Sequence, residues 1–227
     1  SSTPISIYMD DTLVSAPTVQ NAITNGEAVE VLNAMGVMTG YSDGSFRPDG
    51  ILTRGPGAKI IAYLMLGQDK ADKLKATYTV FEDVTDSVGL AAYIEWAAAQ
   101  GIVDGYGDGN FGPYNKLTEY AFGKMLLTAL GYDSAKEGFT GAGWQKNVYG
   151  VAVKNDVFNG TESYGACNRE TAARMAMGAL MAYEVEYGYE TFGNTGYKVT
   201  IAGAIEKAPL WWSYDGLEYY NADERDT

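Results

Sequence analysis

Gly101-Ile102-Val103-Asp104-Gly105-Tyr106-Gly107-Asp108-Gly109-Asn110-Phe111-Gly112-Pro113, followed by Leu117-Thr118-Glu119, is the second appearance of one pattern in this chain. The first is Gly36-Val37-Met38-Thr39-Gly40-Tyr41-Ser42-Asp43-Gly44-Ser45-Phe46-Arg47-Pro48, followed by Leu52-Thr53-Arg54. The offset is constant, 65 positions from Gly36 to Gly101 and from Leu52 to Leu117. Gly, Tyr, Asp-Gly, Phe, Pro and Leu-Thr all keep their places, so what repeats is a three-dimensional unit.

Each copy has the same internal order. Ala28, Val31, Leu32 and Met35 in copy one, and Leu90, Ile94, Ala97 and Ala98 in copy two, fall on one face of a helix. Gly36 and Gly101 follow where a left-handed residue would stop that helix. The Asp-Gly pair then predicts a turn, because Gly accepts positive φ and Asp bonds its own backbone. Thr53 and Thr118 predict the N-caps of a second helix. Its apolar face is Ile60, Ile61 and Leu64, then Phe122, Met125, Leu126 and Ala129. The unit is helix, compact loop, helix.

A third copy is worn. Val148, Val151 and Ala152 give a helical face, and Asn155-Asp156-Val157-Phe158-Asn159-Gly160 aligns with Gln100 to Gly105. The loop shortens to Thr161-Glu162-Ser163-Tyr164-Gly165-Ala166, and Asn168-Arg169 matches Thr53-Arg54. Ala172, Met175, Ala176 and Ala179 supply the last apolar face. The helices are expected near 27–35, 90–100 and 144–155 before the loops, and near 54–66, 119–130 and 169–182 after them. No unit can bury its face alone, so the three should pack into one domain.

Composition fits a folded, exported protein. At 227 residues and 46% hydrophobic content the chain can bury a sizeable core. Lys+Arg is 16 against Asp+Glu 29, a net charge of -13, which argues against a nucleic-acid partner. No apolar run is long enough to span a bilayer. The single Cys167 excludes an internal disulfide, and with no histidine in the chain it lacks the usual activating base. It reads as a small residue beside a helix start. No spacing singles out a glycosidase carboxylate pair, and Asp43 to Asp49-Gly50 lacks the alternating acids and terminal Glu of an EF-hand. The chain is read as a binding module and not an enzyme, with no cofactor and no metal site.

The organisation expected is an extended, irregular segment over 1–24, a repeat region over 25–187 with units at about 25–66, 86–131 and 139–187, and an aromatic, acidic tail over 188–227. In the tail, Lys198-Val199-Thr200-Ile201 reads as a short strand. Two alternatives stand for it: the start of a further domain, or a segment packed back onto the helices.

The repeated motif, together with Phe81-Glu82-Asp83-Val84, Leu52-Thr53-Arg54 and Asn168-Arg169-Glu170, resembles the S-layer homology domain in its triple form. The resemblance covers about residues 25–187. It implies an all-α fold of three helix-loop-helix repeats with pseudo-threefold symmetry around a central helical bundle, here followed by a short extended or β tail. It implies non-covalent anchoring of a bacterial surface protein to cell-wall polysaccharide, often through a pyruvylated N-acetylmannosamine, and an extracellular place in the cell wall or S-layer. Neighbouring S-layer subunits are the other partner that the resemblance suggests. The sequence departs from the family's Thr-Arg-Ala-Glu element in each copy: Gly55-Pro56 follows Arg54, Glu119 replaces Arg in copy two, and Thr171 stands fourth in copy three.

With that implied ligand, Arg54 and Arg169 are the candidates for a sugar carboxylate, since a guanidinium can make two parallel charge-assisted bonds to one carboxylate. Both sit where helix N-termini would add free amides. Asp43-Gly44-Ser45 and Asp108-Gly109 would offer acceptors and backbone donors to hydroxyls, and Tyr41 and Tyr106 flat faces to a sugar ring. The bland reading of the aspartates is loop closure, and of the tyrosines packing of each loop on its own helix. Phe46 and Phe111 read as core. Two further readings stay open: a lattice module with degenerate glycan sites, and an anchor for a surface enzyme or adhesin.

Overall fold

The computed structural model describes residues 5–10, 12–15, 23–77, 80–85, 88–192, 194, 196–200 and 203–221. The repeats give six main helices: α1 Asn25–Ala34 and α2 Arg54–Leu66 in unit one, α4 Ala91–Ala99 and α5 Glu119–Ala129 in unit two, and α6 Trp144–Lys154 and α7 Arg169–Met181 in unit three. A one-turn helix, α3 Gln68–Ala71, follows α2. These bounds fall within a few residues of those read from periodicity.

Local chemistry explains the ends. Thr24 and Glu27 form a reciprocal capping box at α1. Thr118 Oγ1 accepts the Ala121 amide at 3.1 Å, and Asn168 Oδ1 the Thr171 amide at 2.8 Å. Thr53 holds the cap position of α2 but makes no side-chain cap bond. The outer helices stop at left-handed residues, Gly36 at φ 73° and Gly101 at φ 71°. In unit three Asp156 takes that conformation at φ 56°.

Helices joined by a motif loop are not the ones that pack most closely. α2 packs on α4, α5 on α6, and α7 on α1, so each inner helix carries the outer helix of the next unit and the last contact closes the circle. The inner helices α2, α5 and α7 meet at the centre. Ile61, Leu64, Phe122, Leu126, Met175 and Ala176 are fully buried there, as the apolar faces require. Truncating Phe122 to Ala would cost about 3–5 kcal/mol in lost transfer energy and cavity formation.

A ring of backbone hydrogen bonds sits on the pseudo-threefold axis. The Leu52 N–H donates to the Cys167 carbonyl at 2.8 Å, Cys167 to Leu117 at 2.8 Å, and Leu117 to Leu52 at 2.9 Å. These are the Leu-Thr residues of the motif and their unit-three counterpart. Leu52, Leu117 and Cys167 are buried, so each amide and carbonyl needs a partner, and the repeat supplies it by rotation.

The N-terminal stretch, read as extended and irregular, carries two paired strands, β1 Ile5–Met9 and β2 Thr12–Ser15. The C-terminal region has β3 Tyr183–Glu186, β4 Tyr189–Phe192, β5 Tyr197–Thr200, β6 Ile205–Pro209 and β7 Leu217–Asn221, with a 3-10 turn at Leu210–Ser213. β5 covers most of the strand expected there. β7 pairs with β1, which also pairs with β2, all antiparallel; β3 pairs with β6 and β4 with β5.

The C-terminal region touches the end of every inner helix. The Tyr214 hydroxyl donates its one proton to the Leu64 carbonyl in the last turn of α2, with the Tyr63 carbonyl 3.1 Å away. The Val185 amide donates to Leu130 after α5 at 2.8 Å, and the Leu210 amide to Ala182 after α7 at 2.9 Å. Helix ends leave carbonyls without internal partners, and this segment supplies donors to all three. Within the tail, Leu210 and Tyr214 are the residues that make these bonds to α7 and α2.

Candidate functional site

Arg54 leaves the first turn of α2 and crosses to the loop of unit two. Its Nε donates to the Phe111 carbonyl at 2.9 Å and its Nη2 to the Asp104 carbonyl at 2.7 Å. The guanidinium lies 4.4 Å from the Phe111 ring centre and 4.7 Å from that of Tyr106. Arg169 repeats this on unit one: Nε to Phe46 O at 2.9 Å, Nη2 to Thr39 O at 3.0 Å, with the Phe46 and Tyr41 rings 4.6 and 5.0 Å away. Burial pushes both arginines below their ordinary pKa, yet a guanidinium stays charged.

Glu119 holds the same position on α5 and reaches the loop of unit three. It does so with opposite polarity, accepting from the Tyr164 amide and, at 3.2 Å, from Ser163 Oγ. It is only 3% exposed, and desolvation pushes its carboxyl pKa up. Three clasps therefore join the units in a circle, two by guanidinium and one by carboxylate.

The amides expected to greet an anion at these helix starts are largely taken. Arg54 and Gly55 donate to Asn115 and Pro113 carbonyls, Arg169 and Glu170 to Gly50 and Pro48, and Glu119 to Gly165. The neighbouring unit's loop spends them.

The loop aspartates close their own turns. Asp43 Oδ1 accepts from the Ser45 amide at 2.9 Å and Oγ at 2.6 Å, and Oδ2 pairs with Arg47 at 3.0 Å. Asp108 Oδ1 accepts the Asn110 amide at 2.9 Å. These bonds lower both carboxyl pKa values, chiefly through the Ser45 hydroxyl for Asp43 and the Asn110 amide for Asp108. Gly44 and Gly109 take φ 81° and 91°. The turns need glycine at Gly40 and Gly105 too, where a Cβ would come within 2.9 Å of the Ser45 carbonyl and 2.7 Å of the Asn110 carbonyl. Asp83 of the Phe-x-Asp-Val element braces the second loop, accepting from Phe111 and Gly112 amides at 2.8 and 2.7 Å. Phe111 is buried core and Phe46 half-buried. Tyr41 and Tyr106 stay exposed, the latter at 55%, each under an arginine from another unit.

A cavity of about 380 Å³ opens beside Arg54, between the loop after α4, the first half of α5 and the start of α6. Its wall includes Arg54, Tyr106, Lys124, Thr140, Trp144 and Asp104. Of the residues read from sequence it gathers Arg54 and Tyr106. Arg169, Tyr41, Asp43, Gly44 and Ser45 lie on the unit-one loop and its clasp, and Asp108 and Gly109 lie outside the wall. Lys124, Thr140 and Trp144 were missed. The signal for Lys124 was present, since Lys59, Lys124 and Arg174 each stand five residues after Arg54, Glu119 and Arg169. Nothing in the repeat marks Trp144.

Around the unit-three loop the rings pack on one another. Tyr120 stacks on Tyr164 at 5.1 Å, and Phe158 and Tyr149 close on Tyr164 at 5.5 and 5.8 Å. Burial pushes the Tyr164 phenol up to about 12. Among the described residues no group of three or more His, Cys, Asp or Glu could hold a metal ion, and no helix is long and apolar enough to cross a membrane.

Residues 20–55 and 80–119 match the model of the S-layer homology domain. Among curated proteins the chain is similar to a "Surface layer protein" of Brevibacillus choshinensis, 30% identical over 135 residues, which are 60% of this chain and 12% of that protein. It is similar to a "Middle cell wall protein" of Brevibacillus brevis, 26% identical over 166 residues, 71% of this chain and 15% of the relative. It also resembles "Cell surface glycoprotein 1" of Acetivibrio thermocellus, 37% identical over 93 residues, 41% of this chain and 4% of that protein. The chain thus spans a small part of each relative.

Proposed function

We propose that this chain is a non-catalytic anchoring module that holds a bacterial surface protein, outside the cell, to cell-wall polysaccharide. The observation that carries the reading is the cavity beside Arg54. It is a concave site of about 380 Å³ with three aromatic rings, Tyr106, Phe139 and Trp144, and two cations, Arg54 and Lys124. Aromatic faces suit the apolar face of a sugar ring, and the cations suit an acidic substituent held partly out of water. The match to S-layer homology domains and the surface-layer and cell-wall names of the relatives support the placement in the wall.

The finer reading is that the acid is a ketal carboxylate, as on a pyruvylated N-acetylmannosamine. Arg54, Tyr106, Lys124 and Trp144 would contact that residue, while Arg169 with Tyr41, and the turns of Asp43-Gly44-Ser45 and Asp108-Gly109, would contact further parts of the polymer. Calorimetry with the methyl glycoside of 4,6-pyruvylated N-acetylmannosamine and with its unpyruvylated counterpart tests this. Binding of the first only supports the carboxylate. Equal binding of both would assign the energy to ring stacking and hydroxyl contacts.

A lattice-contact role is the second reading, and the aromatic packing of the unit-three loop favours it there. At that junction Glu119 stands where the other two units have Arg, and Tyr120 stacks on Tyr164.

A further inference from the structure

This inference rests on the Arg54 cavity being an acidic-sugar site. All three units place a cation five residues into the register of the inner helix: Lys59, Lys124 and Arg174. All three end the outer helix on a left-handed residue: Gly36, Gly101 and Asp156. Only unit three has a side chain at that stop. There Asp156 Oδ2 pairs with Arg174 Nη2 at 2.9 Å, and the Asp156 carbonyl accepts from Arg174 Nη1 at 3.1 Å. Arg174 is 2% exposed, so its charge is met from within the unit.

In unit two the stop is Gly101, which offers no carboxylate. Lys124 lines the cavity, its ammonium 5.9 Å from the Trp144 ring centre, and it has no ion pair among the described residues. Arg54 on the same wall has Nε and Nη2 committed to two carbonyls. The clasp arginine is thus partly spent on structure and the lysine is not.

We propose that Lys124 is the residue that reads the ligand's carboxylate, and that Asp156 on Arg174 is the same pairing satisfied internally. Unit three carries its own acid where unit two leaves room for the sugar's. Arg54, on the same wall, fixes the loop and adds a second positive charge beside the sugar. The Arg54 cavity accordingly takes one acidic sugar per chain and discriminates by charge through Lys124.

The test is calorimetry with the same pyruvylated methyl glycoside. Lys124→Gln should weaken binding by roughly tenfold to a hundredfold, the range for losing a hydrogen bond to a charged group, while Lys124→Arg retains most of it. Gly101→Asp should weaken binding as much, because it builds the carboxylate of Asp156 into unit two. Gly101→Asn should bind like the unaltered chain, since Asn also tolerates positive φ but carries no charge. A Cβ at Gly101 meets nothing within 4 Å, and the strain of a side chain at φ 71° is common to Asp and Asn, so thermal melts should show the two variants equally stable. Unchanged binding by Lys124→Gln or Gly101→Asp overturns the assignment, as does equal loss in Gly101→Asn and Gly101→Asp. If the unaltered chain fails to bind the acidic sugar, the cavity reading itself is wrong and this inference goes with it. If it binds and only the variants misbehave, the cavity reading survives.

Discussion

The backbone N–H of Leu52 donates to the carbonyl of Cys167 at 2.8 Å, joining the start of the first inner helix to the start of the last. This bond closes a three-membered ring with Leu117, so the three motif copies are held in register at one buried point. The repeat is read best at this ring, and the cysteine that looked like a spectator is part of it.

Cys167 should therefore be chemically silent in the folded chain. It is buried, desolvation raises its thiol pKa well above the ordinary range, and Glu119 nearby disfavours the thiolate further. A thiol-specific chromogenic reagent should label it only as denaturant unfolds the protein. Rapid labelling under native conditions would mean that the ring opens.

Arg54→Ala and Arg169→Ala should lower stability as well as any binding. Each removes two hydrogen bonds to loop carbonyls and a stacked guanidinium, a loss of roughly 1–3 kcal/mol. Lysine should not rescue either, because an ammonium cannot bridge two carbonyls in the geometry of the planar fork. Urea titration reads the change. Full stability with lost binding would make these arginines purely ligand-facing, contrary to the clasp.

Glu119 should give the fold a pH dependence of defined sign. Its carboxyl pKa is raised by burial, so the folded state binds its proton more tightly than the unfolded chain does. The cost of burying the charge is present at neutral pH and is relieved as pH falls through the raised pKa towards the ordinary carboxylate value. Glu119→Gln can still accept from Tyr164 and donate to Ser163, so it should be more stable than the unaltered chain at neutral pH. The gap should shrink on acidification. A constant gap across that window, measured by melts at stepped pH, would contradict the assignment.

Tyr214→Phe should destabilise by about 1–2 kcal/mol, because it strips the donor from the Leu64 carbonyl at the end of α2, while the Tyr63 carbonyl keeps the Gly67 amide. Desolvation raises the phenol pKa, in keeping with a buried hydroxyl that acts as donor. A lowered melting temperature with unchanged helix content is expected. No change would mean that the C-terminal segment does not brace the bundle.

The helices were legible because their apolar faces repeat with helical period and their ends carry glycine, threonine or asparagine. What periodicity could not show was which faces meet. α2 resembles a partner for α1 on the page of sequence, yet it packs on α4, because loop closure and ring formation are tertiary facts. For the same reason neither reading of Tyr106, a face for a sugar ring or packing on its own helix, included the Arg54 guanidinium of another unit above it. Glu119 stands in the sequence only as a replacement for Arg, but the shortened unit-three loop presents an amide and a hydroxyl, so the clasp needs an acceptor there. Lys124 was missed because its meaning appears only when the three inner helices are superposed on one register.

The central claim, anchoring through a wall polymer, is tested most directly by co-sedimentation of the chain with purified bacterial sacculi, before and after the secondary polymer is stripped. The account predicts that the protein pellets with intact sacculi and stays in solution with stripped ones, and that added pyruvylated N-acetylmannosamine glycoside releases it. Equal pelleting with both preparations, or none with either, would contradict it.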